Sequence, residues 1–459
     1  MEINYTRIIT DVYNFDVLVI GGGPSGIAAA ISAARNGAKT MLIERCGFVG
    51  GMATAALVGP FMTCYDGKGK RQIIRGIFDE LVKRLEEKDG AIHPSKVSGA
   101  TSHSAFIQTG HEHVTPFDSE ILKIVAEQML IEAGVTLLYY TQFIDCVNHA
   151  GKIESVVAAK KEGLCAIQAK VYIDCSGDAD VAEKAGVPII KGRDKDGQMQ
   201  PATLFFRVNH VNSERVYQCV EDSKELMGIP FHGVFSWLID EGRKRGEWTI
   251  EREEMGTYET NHKGEWKLNT TRMLNVDGTK SADLTRASIE GRIQTRQVYQ
   301  FLKDHVPGFE NAKMMDTGSV VGIRESRHII GKYIIQKEDL LKTRTFDDVV
   351  LLCANAIDIH DNKGTAGEYV VVDTWYGIPY RALVPENCNN LLVSGRAISA
   401  TSEAASAFRV MPTCFGTGQA AGTAAALCVK ENVTPEMLSI SMLQSTLENQ
   451  GVILDRKHF

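Results

Sequence analysis

Near its start, the chain alternates short apolar runs with a segment of helical periodicity. Residues 15–20 (FDVLVI) are continuously apolar and rich in valine, which is typical of a parallel strand buried on both faces. Alanines and Ile31 then recur at helical spacing over residues 25–36, Gly37 follows, and residues 40–43 form a second apolar run. Because glycine commonly ends helices, the pattern predicts a βαβ unit.

The same reading predicts further elements downstream. Helical patterns cover residues 74–85 and 119–133, with a histidine- and glycine-bearing loop between them at 93–113. Strand patterns cover residues 135–140, 152–160, 164–169 and 171–175. We expect residues 135–140 and 171–175 to join the first sheet and the two middle runs to form an inserted hairpin.

The pattern changes at about residue 191 into mixed helices, strands and charged clusters, and an apolar run returns at 385–394 before an Ala/Gly-rich helix at 416–430. We therefore predict an α/β fold with a Rossmann-like domain, a parallel sheet carrying an inserted β hairpin, built from residues 12–190 and 375–430. Residues 191–374 are predicted to be an inserted α+β substrate domain. Residues 431–459 are predicted to be a helical tail.

The composition of the chain limits the classes of molecule that we expect it to bind. The 459 residues allow two or three domains. The net charge of −7 gives no general attraction to nucleic acid or to an anionic membrane, so we expect a small-molecule substrate. With neither a secretory signal nor a spanning apolar run, we expect a cytoplasmic protein. The ten scattered cysteines and the isolated His111-Glu112-His113 lack metal-site spacing, and we assign no metal.

A glycine motif stands directly between the first strand and the first helix. Gly21-x-Gly23-x-x-Gly26 has the spacing of a dinucleotide fingerprint, in which the glycines allow a tight turn, close approach of a pyrophosphate and close helix packing. Glu44 ends the second strand about 20 residues on, where an acid accepts hydrogen bonds from an adenosine ribose. These features predict dinucleotide binding and leave FAD and NAD as alternatives.

Three features favour FAD. Gly50-Gly51 would let the chain pass close to an extended cofactor, and Gly177 after the strand at 171–175 would do the same. Gly416-x-Gly418-x-x-x-Gly422 is predicted to open a helix whose amino terminus faces the flavin. A helix dipole there would stabilise the negative charge of the reduced ring.

The segments GGGPSGIAAA, ERCGFVGGMATAALV, IDCSGDADVAEKAG, VGIRESRHIIGKY, TWYGIPYRALVP and GRAISATSEAASAFRVMPTCFGTGQAAGTAAAL resemble the FAD-dependent oxidoreductase family. These are glutathione-reductase-like flavoproteins with two dinucleotide motifs, a group that includes the flavin core of the heterodisulfide reductases. The resemblance implies FAD contacts at Gly21, Gly23, Pro24, Ser25, Gly26, Glu44, Arg45, Gly50, Gly51, Met52, Ala53, Gly177, Asp178, Gly395, Arg396, Gly416, Thr417, Gly418 and Gln419. Met52 departs from the arginine of many amine oxidases, and the chain lacks the cysteine clusters of heterodisulfide reductases.

Several residues are candidates for the substrate side. His360 suits proton transfer at neutral pH. Arg324 and Arg327 suit bidentate binding of a carboxylate, or an ordinary ion pair with the intervening Glu325. Tyr376 and Arg409 are further candidates for catalysis, with packing and structural roles as the alternatives.

The predicted function is an FAD-dependent oxidoreductase that transfers hydride between flavin N5 and a small organic substrate. It would dehydrogenate a C–H bond or reduce an activated double bond. One alternative is an electron-transfer partner subunit. Another is a tRNA-modifying flavoprotein, which the acidic net charge disfavours. The sequence does not identify the electron acceptor, and it leaves open whether the chain forms a homo-oligomer.

Overall fold

The computed structural model describes residue 3 and residues 6–107, 110–227, 235–360 and 367–455. The strands are β1 (Val12–Ile20), β2 (Thr40–Ile43), β3 (Thr136–Leu138), β4 (Gln142–His149), β5 (Lys152–Lys160), β6 (Gly163–Asp174), β7 (Ile189–Lys191), β8 (Phe206–Asn209), β9 (Gly256–Glu259), β10 (Trp266–Asn269), β11 (Lys313–Thr317), β12 (Arg327–Ile329), β13 (Val349–Cys353), β14 (Ile357–His360), β15 (Gly367–Val370), β16 (Tyr376–Pro379) and β17 (Leu391–Val393). The helices are α1 (Pro24–Arg35), α2 (Ile77–Glu86), α3 (Ser119–Glu132), α4 (Asp180–Lys184), α5 (Ser213–Met227), α6 (Ser236–Arg245), α7 (Ser281–His305), α8 (Lys337–Leu341), α9 (Ser402–Phe408), α10 (Met411–Glu431) and α11 (Ile440–Asn449).

The predicted parallel sheet is confirmed. Its order is β3-β2-β1-β6, with β17 paired to β6, and all of these pairings are parallel. The continuous apolar runs of β1 and β2 are buried because α1, α2 and α3 cover one face of the sheet and the β4–β5 hairpin and α4 lie against the other. The carboxyl ends of these strands therefore meet at one edge of the sheet.

The predicted break at residue 170 is wrong, because β6 is one strand of 12 residues. Its first part pairs with β5 in the antiparallel hairpin, and its second part pairs with β17. Gln168 and Lys170 are exposed where β6 changes partner. These polar residues interrupt the apolar pattern without ending the strand.

Helix α10 packs directly against α1 and is almost entirely buried. A Cβ at Gly418 would lie 2.1 Å from the carbonyl oxygen of Ser25, and one at Gly422 would lie 2.1 Å from that of Ala29. The hydroxyl groups of Ser32 and Thr423 are 2.7 Å apart across the same interface. Two glycines one turn apart thus allow the backbones of the helices to touch.

The middle of the chain builds a second sheet in the order β11-β8-β10-β9, with antiparallel pairing throughout. We call this sheet the cap sheet. Trp266, Phe206 and Phe309 form part of the apolar core between it and helices α5 to α7. β13 pairs with β16 and packs against α10 in the core of the first sheet. The division into residues 12–190 with 375–430, 191–374 and 431–459 stays a prediction.

In the part of the chain that the structure describes, no helix combines the length and the apolar character that a membrane span requires.

Candidate active site

A cavity of about 1470 Å³ lies between the carboxyl edge of the parallel sheet and the cap sheet. This volume exceeds the roughly 300–1,000 Å³ of a site for one drug-sized ligand. At one end it is lined by residues that follow β1, β2, β6 and β17, and at the other by residues of the cap sheet and of β14. The cavity therefore has space for a dinucleotide and a second molecule.

The amino terminus of α1 faces the dinucleotide end. Its N-cap, Gly23, offers no side-chain acceptor to the first-turn N–H groups. A Cβ added at Gly23 would have the Cα of Gly51, 4.0 Å away, as its nearest neighbour, so the space beside Gly23 is open. Unpaired N–H groups at a helix start, together with the helix dipole, form an anion site. A pyrophosphate fits this position.

The other two glycines of the fingerprint serve packing. Gly21 has a φ of +100°, and a Cβ there would lie 2.5 Å from the carbonyl oxygen of Cys175. A Cβ at Gly26 would lie 1.8 Å from the carbonyl oxygen of Gly21. Both positions therefore require glycine for the reasons that the motif predicts.

Glu44 is held at the cavity wall by two backbone groups. Its carboxylate accepts hydrogen bonds from the N–H of Gly22 at 2.7 Å and from the N–H of Cys46 at 2.8 Å. Each carboxylate oxygen can accept more than one hydrogen bond. Glu44 is therefore fixed in position and still able to accept ribose hydroxyls.

Gly50-Gly51 has close packing neighbours in addition to its predicted place beside the cofactor. A Cβ at Gly51 would lie 2.8 Å from the Cα of Gly23, and one at Gly50 would lie 2.4 Å from the Thr54 side chain. Gly51 and Met52 line the cavity. The doublet thus packs against the glycine loop of the fingerprint, and this contact places Gly51 and Met52 at the cavity wall.

Asp178 and Arg396 form a second fixed point at the dinucleotide end. Asp178 accepts hydrogen bonds from Arg396 and from Ser326, both at 2.6 Å. The Arg396 guanidinium lies over Gly177, 3.1 Å from the position of an added Cβ. Both side chains line the cavity.

The predicted start of the last helix is wrong. Helix α10 begins at Met411, and Val410, Met411 and Cys414 line the cavity. The glycines at 416–422 had suggested a loop-to-helix turn, whereas they are small residues inside a buried helix. The helix amino terminus still faces the cavity, and its N-cap, Val410, offers no side-chain acceptor.

Of the predicted FAD contacts, those on the cavity wall are Gly21, Gly23, Pro24, Ser25, Glu44, Arg45, Gly51, Met52, Gly177, Asp178, Gly395 and Arg396. Those behind the wall are Gly26, Gly50, Ala53, Gly416, Thr417, Gly418 and Gln419. Thr417 and Gln419 support the wall, because Thr417 accepts a hydrogen bond from the N–H of Gly395 and Gln419 accepts one from that of Ile77.

We call the cap end of the cavity the substrate chamber, which is lined by His111, Arg252, Tyr258, Asn269, Arg272, Arg324, Asp358, His360 and Arg409. The Asp358 carboxylate lies 3.2 Å from Nε2 of His360 and 3.4 Å from Nη2 of Arg409. Burial opposes the charge of Asp358, but His360, Arg409 and Arg324 outweigh it and hold its pKa well below the usual range. Burial lowers the pKa of His360 against the opposing effect of Asp358.

Three of the predicted catalytic residues, Arg324, His360 and Arg409, meet in this chamber. Arg327 lies behind the dinucleotide end, where it donates hydrogen bonds to the Asp178 carbonyl at 3.0 Å and to the Asp180 carboxylate at 2.9 Å. Two arginines three positions apart thus have different surroundings, since Arg324 precedes β12 and Arg327 begins it.

Tyr376 is also outside the chamber. Its hydroxyl lies 3.1 Å from the Cys353 sulfur and donates a hydrogen bond to the Asn355 carbonyl at 3.2 Å, and the side chain is 1% exposed. This geometry favours a structural role for Tyr376.

Sequence reasoning missed Arg252, Arg272, Tyr258 and Asp358. Arg252 belongs to a charged run, EREE, that looks like a solvated surface, yet its side chain is 7% exposed. Asp358 precedes His360 by two residues in a strand, and residues at that spacing share a face. This two-residue spacing is the sequence signal from which the Asp358–His360 pair could have been predicted.

The cavity, the fixed acid at the end of β2 and the two helix amino termini together define a dinucleotide-binding protein of Rossmann type. The family model for FAD dependent oxidoreductase matches residues 16–447. The chain belongs to this family, and its cofactor is FAD.

Curated relatives match parts of the chain. NADH oxidase of Thermoanaerobacter brockii is 33% identical over 103 residues, which are 22% of this chain and 15% of that protein. Thiamine thiazole synthase of Methanococcus aeolicus is 29% identical over 182 residues, covering 38% of this chain and 59% of that protein. The matched segments cover 9% to 59% of the curated relatives' lengths.

Solved structures align over most of the chain. The geranylgeranyl bacteriochlorophyll reductase-like protein of Thermoplasma acidophilum aligns with a TM-score of 0.45 at 13% identity, covering 97% of this chain and 94% of that one. For p-nitrophenol 4-monooxygenase of Pseudomonas putida, the TM-score is 0.47 at 10% identity, with coverages of 96% and 85%.

Proposed function

We propose that the protein transfers hydride between N5 of FAD and a small organic substrate, dehydrogenating a C–H bond or reducing an activated double bond. The observation that carries the proposal is the continuity of one cavity from the dinucleotide end to a chamber that contains the Asp358–His360 pair. Bound FAD would supply a two-electron hydride acceptor or donor. The chain supplies orientation, a proton carrier and protection from water.

His360 is the proposed proton carrier. Burial lowers the pKa of His360, which favours the neutral imidazole that can accept a proton. Asp358, at 3.2 Å, orients the ring and stabilises the cation that forms. In a dehydrogenation, one hydrogen would leave the substrate with its electron pair as hydride to FAD. The other would leave as a proton to His360.

Gly23, Glu44 and Arg396 are proposed to hold the dinucleotide. The unpaired N–H groups after Gly23 suit the pyrophosphate, and Glu44 suits the ribose hydroxyls. Arg327 is proposed as a positioning residue, since it fixes Asp178 and Asp180 without lining the cavity.

The test is anaerobic reduction of the FAD-loaded protein by fractionated metabolites, followed by the loss of oxidised-flavin absorbance. At least one fraction should bleach the flavin. His360→Gln should retain FAD and be reduced about 10²-fold more slowly by that fraction. His210→Gln is the matched control, because His210 is exposed and contacts Asn209.

A flavin that no fraction reduces would contradict the proposal. Reduction only by a second protein would indicate the alternative, an electron-transfer partner subunit. Equal rates for His360→Gln and His210→Gln would remove His360 from the proton path.

A further inference from the structure

The substrate chamber holds an excess of buried positive charge. Arg252 is 6% exposed, and Arg324 and Arg409 share the same wall. Among the described residues, the Asp358 carboxylate lies 3.4 Å from Arg409. Burying a charge without an anionic partner costs several kcal/mol, and the hydrogen-bond partners of Arg324 among the described residues are the neutral Pro201 carbonyl and Asn269, so the arrangement calls for an anion.

The other charged groups that the structure describes around the chamber offset this positive charge only in part. Glu254 lies 3.9 Å from Arg252, but its side chain is 47% exposed. Behind Arg409, burial raises the pKa of Glu325, and hydrogen bonds together with the positive charge of Arg409 oppose that rise. His111 and His360 have pKa values lowered by burial. Three further acids lie at the outer part of the cavity wall, where all three are exposed to solvent: Asp240, Glu253 and Glu368. Asp240 also pairs with Arg243, and Glu368 pairs with Lys337.

The guanidinium groups repel one another, and they retain N–H groups that can donate hydrogen bonds to a ligand. Burial lowers the pKa of Arg324, and the positive charges of Arg409 and Arg252 lower it further. Arg324 donates to the Pro201 carbonyl at 2.6 Å and to Asn269 at 3.4 Å, which fixes its plane against the cap sheet. Within the described residues, the buried Nε of Arg409 has no hydrogen-bond partner.

We infer that this chamber binds a carboxylate of the substrate between the guanidinium groups of Arg252, Arg324 and Arg409. A planar carboxylate presents two oxygens to the N–H groups of a guanidinium, and this pairing is frequently bidentate. The inference rests on the proposed function, because it names the substrate class of that site.

The chemistry of the proposed reaction favours a carboxylate over a phosphate ester. A carboxylate attached to the reacting carbon withdraws electrons from its C–H bond once arginines have neutralised the negative charge. Proton removal by His360 then becomes easier. A phosphate ester, joined through an oxygen, offers no such conjugation with the reacting carbon.

The experiment titrates the FAD-loaded protein with acetate, malonate and succinate. Binding is followed by the shift in the flavin absorbance spectrum and by the rise in the thermal midpoint, which a ligand of the folded state produces. Malonamide is the neutral counterpart, and inorganic phosphate is the competing oxyanion. At least one carboxylate should bind, with malonamide and phosphate each binding at least tenfold more weakly.

Arg324→Gln and Arg252→Gln should weaken that carboxylate at least tenfold while FAD content stays at the wild-type level. Arg215→Gln, which removes an exposed arginine paired with Glu310, should leave the affinity unchanged. Three results would overturn the inference: no carboxylate binds, phosphate binds as tightly as the carboxylate, or the chamber variants lose FAD instead of carboxylate affinity.

The two proposals fail separately. Carboxylate binding with a flavin that no metabolite reduces would contradict the proposed function and leave the anion site standing. Reduction of the flavin by neutral metabolites, in a protein that binds no carboxylate, would support the proposed function and contradict the anion site.

Discussion

The contact between α1 and α10 makes a quantitative prediction for Gly418→Ala. The added Cβ would lie 2.1 Å from the Ser25 carbonyl oxygen and 2.8 Å from the Ser25 Cα. Ordinary contact begins at 3.4 Å, so the helices must separate by 1.3 Å, the difference between 3.4 and 2.1 Å. Overpacking of this kind costs about 3 kcal/mol, and the better helix propensity of alanine returns about 1 kcal/mol. We expect a net loss of about 2 kcal/mol.

The assay is urea unfolding at a fixed FAD concentration, with bound FAD measured in parallel. FAD affinity should fall as well, because Ser25 lies in the first turn of α1 and lines the cavity. Gly416→Ala is the matched control in the same helix. Its Cβ would meet the methyl groups of Leu351 at 2.5 and 2.7 Å, and a leucine side chain can move. Equal stability of the two variants would refute the argument that the backbone contact sets the cost.

Three further predictions concern single side chains. Glu44→Gln should weaken FAD binding about tenfold, measured by fluorescence titration, since it removes the charge from a ribose acceptor; unchanged affinity would contradict the assignment. Burial lowers the pKa of His328 to about 4, so the unfolded chain binds the extra proton and the unfolding free energy falls as pH drops from about 6.5 to 4. His328→Phe should flatten that part of the urea-midpoint profile. Burial likewise lowers the pKa of Lys267 to about 7, so stability should rise from pH 7 to about 10; a Lys267→Met variant that keeps this slope would refute the assignment.

The sheet and its cofactor end were predictable because their signals are local. β1, the glycine turn, α1 and β2 follow one another within residues 12–43. Each is set by short-range constraints: continuous burial, a positive φ at Gly21, and an acid at the end of the next strand. The FAD prediction used this order together with Gly177 and the carboxyl-terminal segment.

The start of α10 was harder because the same residue types serve two purposes. Glycines at residues 416–422 suit a phosphate-binding turn, and they also suit close helix packing. The choice depends on what lies opposite, and Ser25 and Ala29 are almost 400 residues away in the chain. The sequence pattern alone does not contain that neighbour.

The arginines of the substrate chamber show the same limit more strongly. Arg252 precedes β9, Arg272 follows β10, Arg324 precedes β12 and Arg409 ends α9. They converge because the antiparallel pairing of β9 with β10 brings the first two to one side of the cap sheet, while Arg324 in the loop before β12 and Arg409 after α9 line the same cavity. Separately, each looks like a surface charge. Arg252, Arg324 and Arg409 meet in one cavity with the Asp358 carboxylate, which makes them a candidate anion site, and that juxtaposition follows from the topology rather than from any local motif.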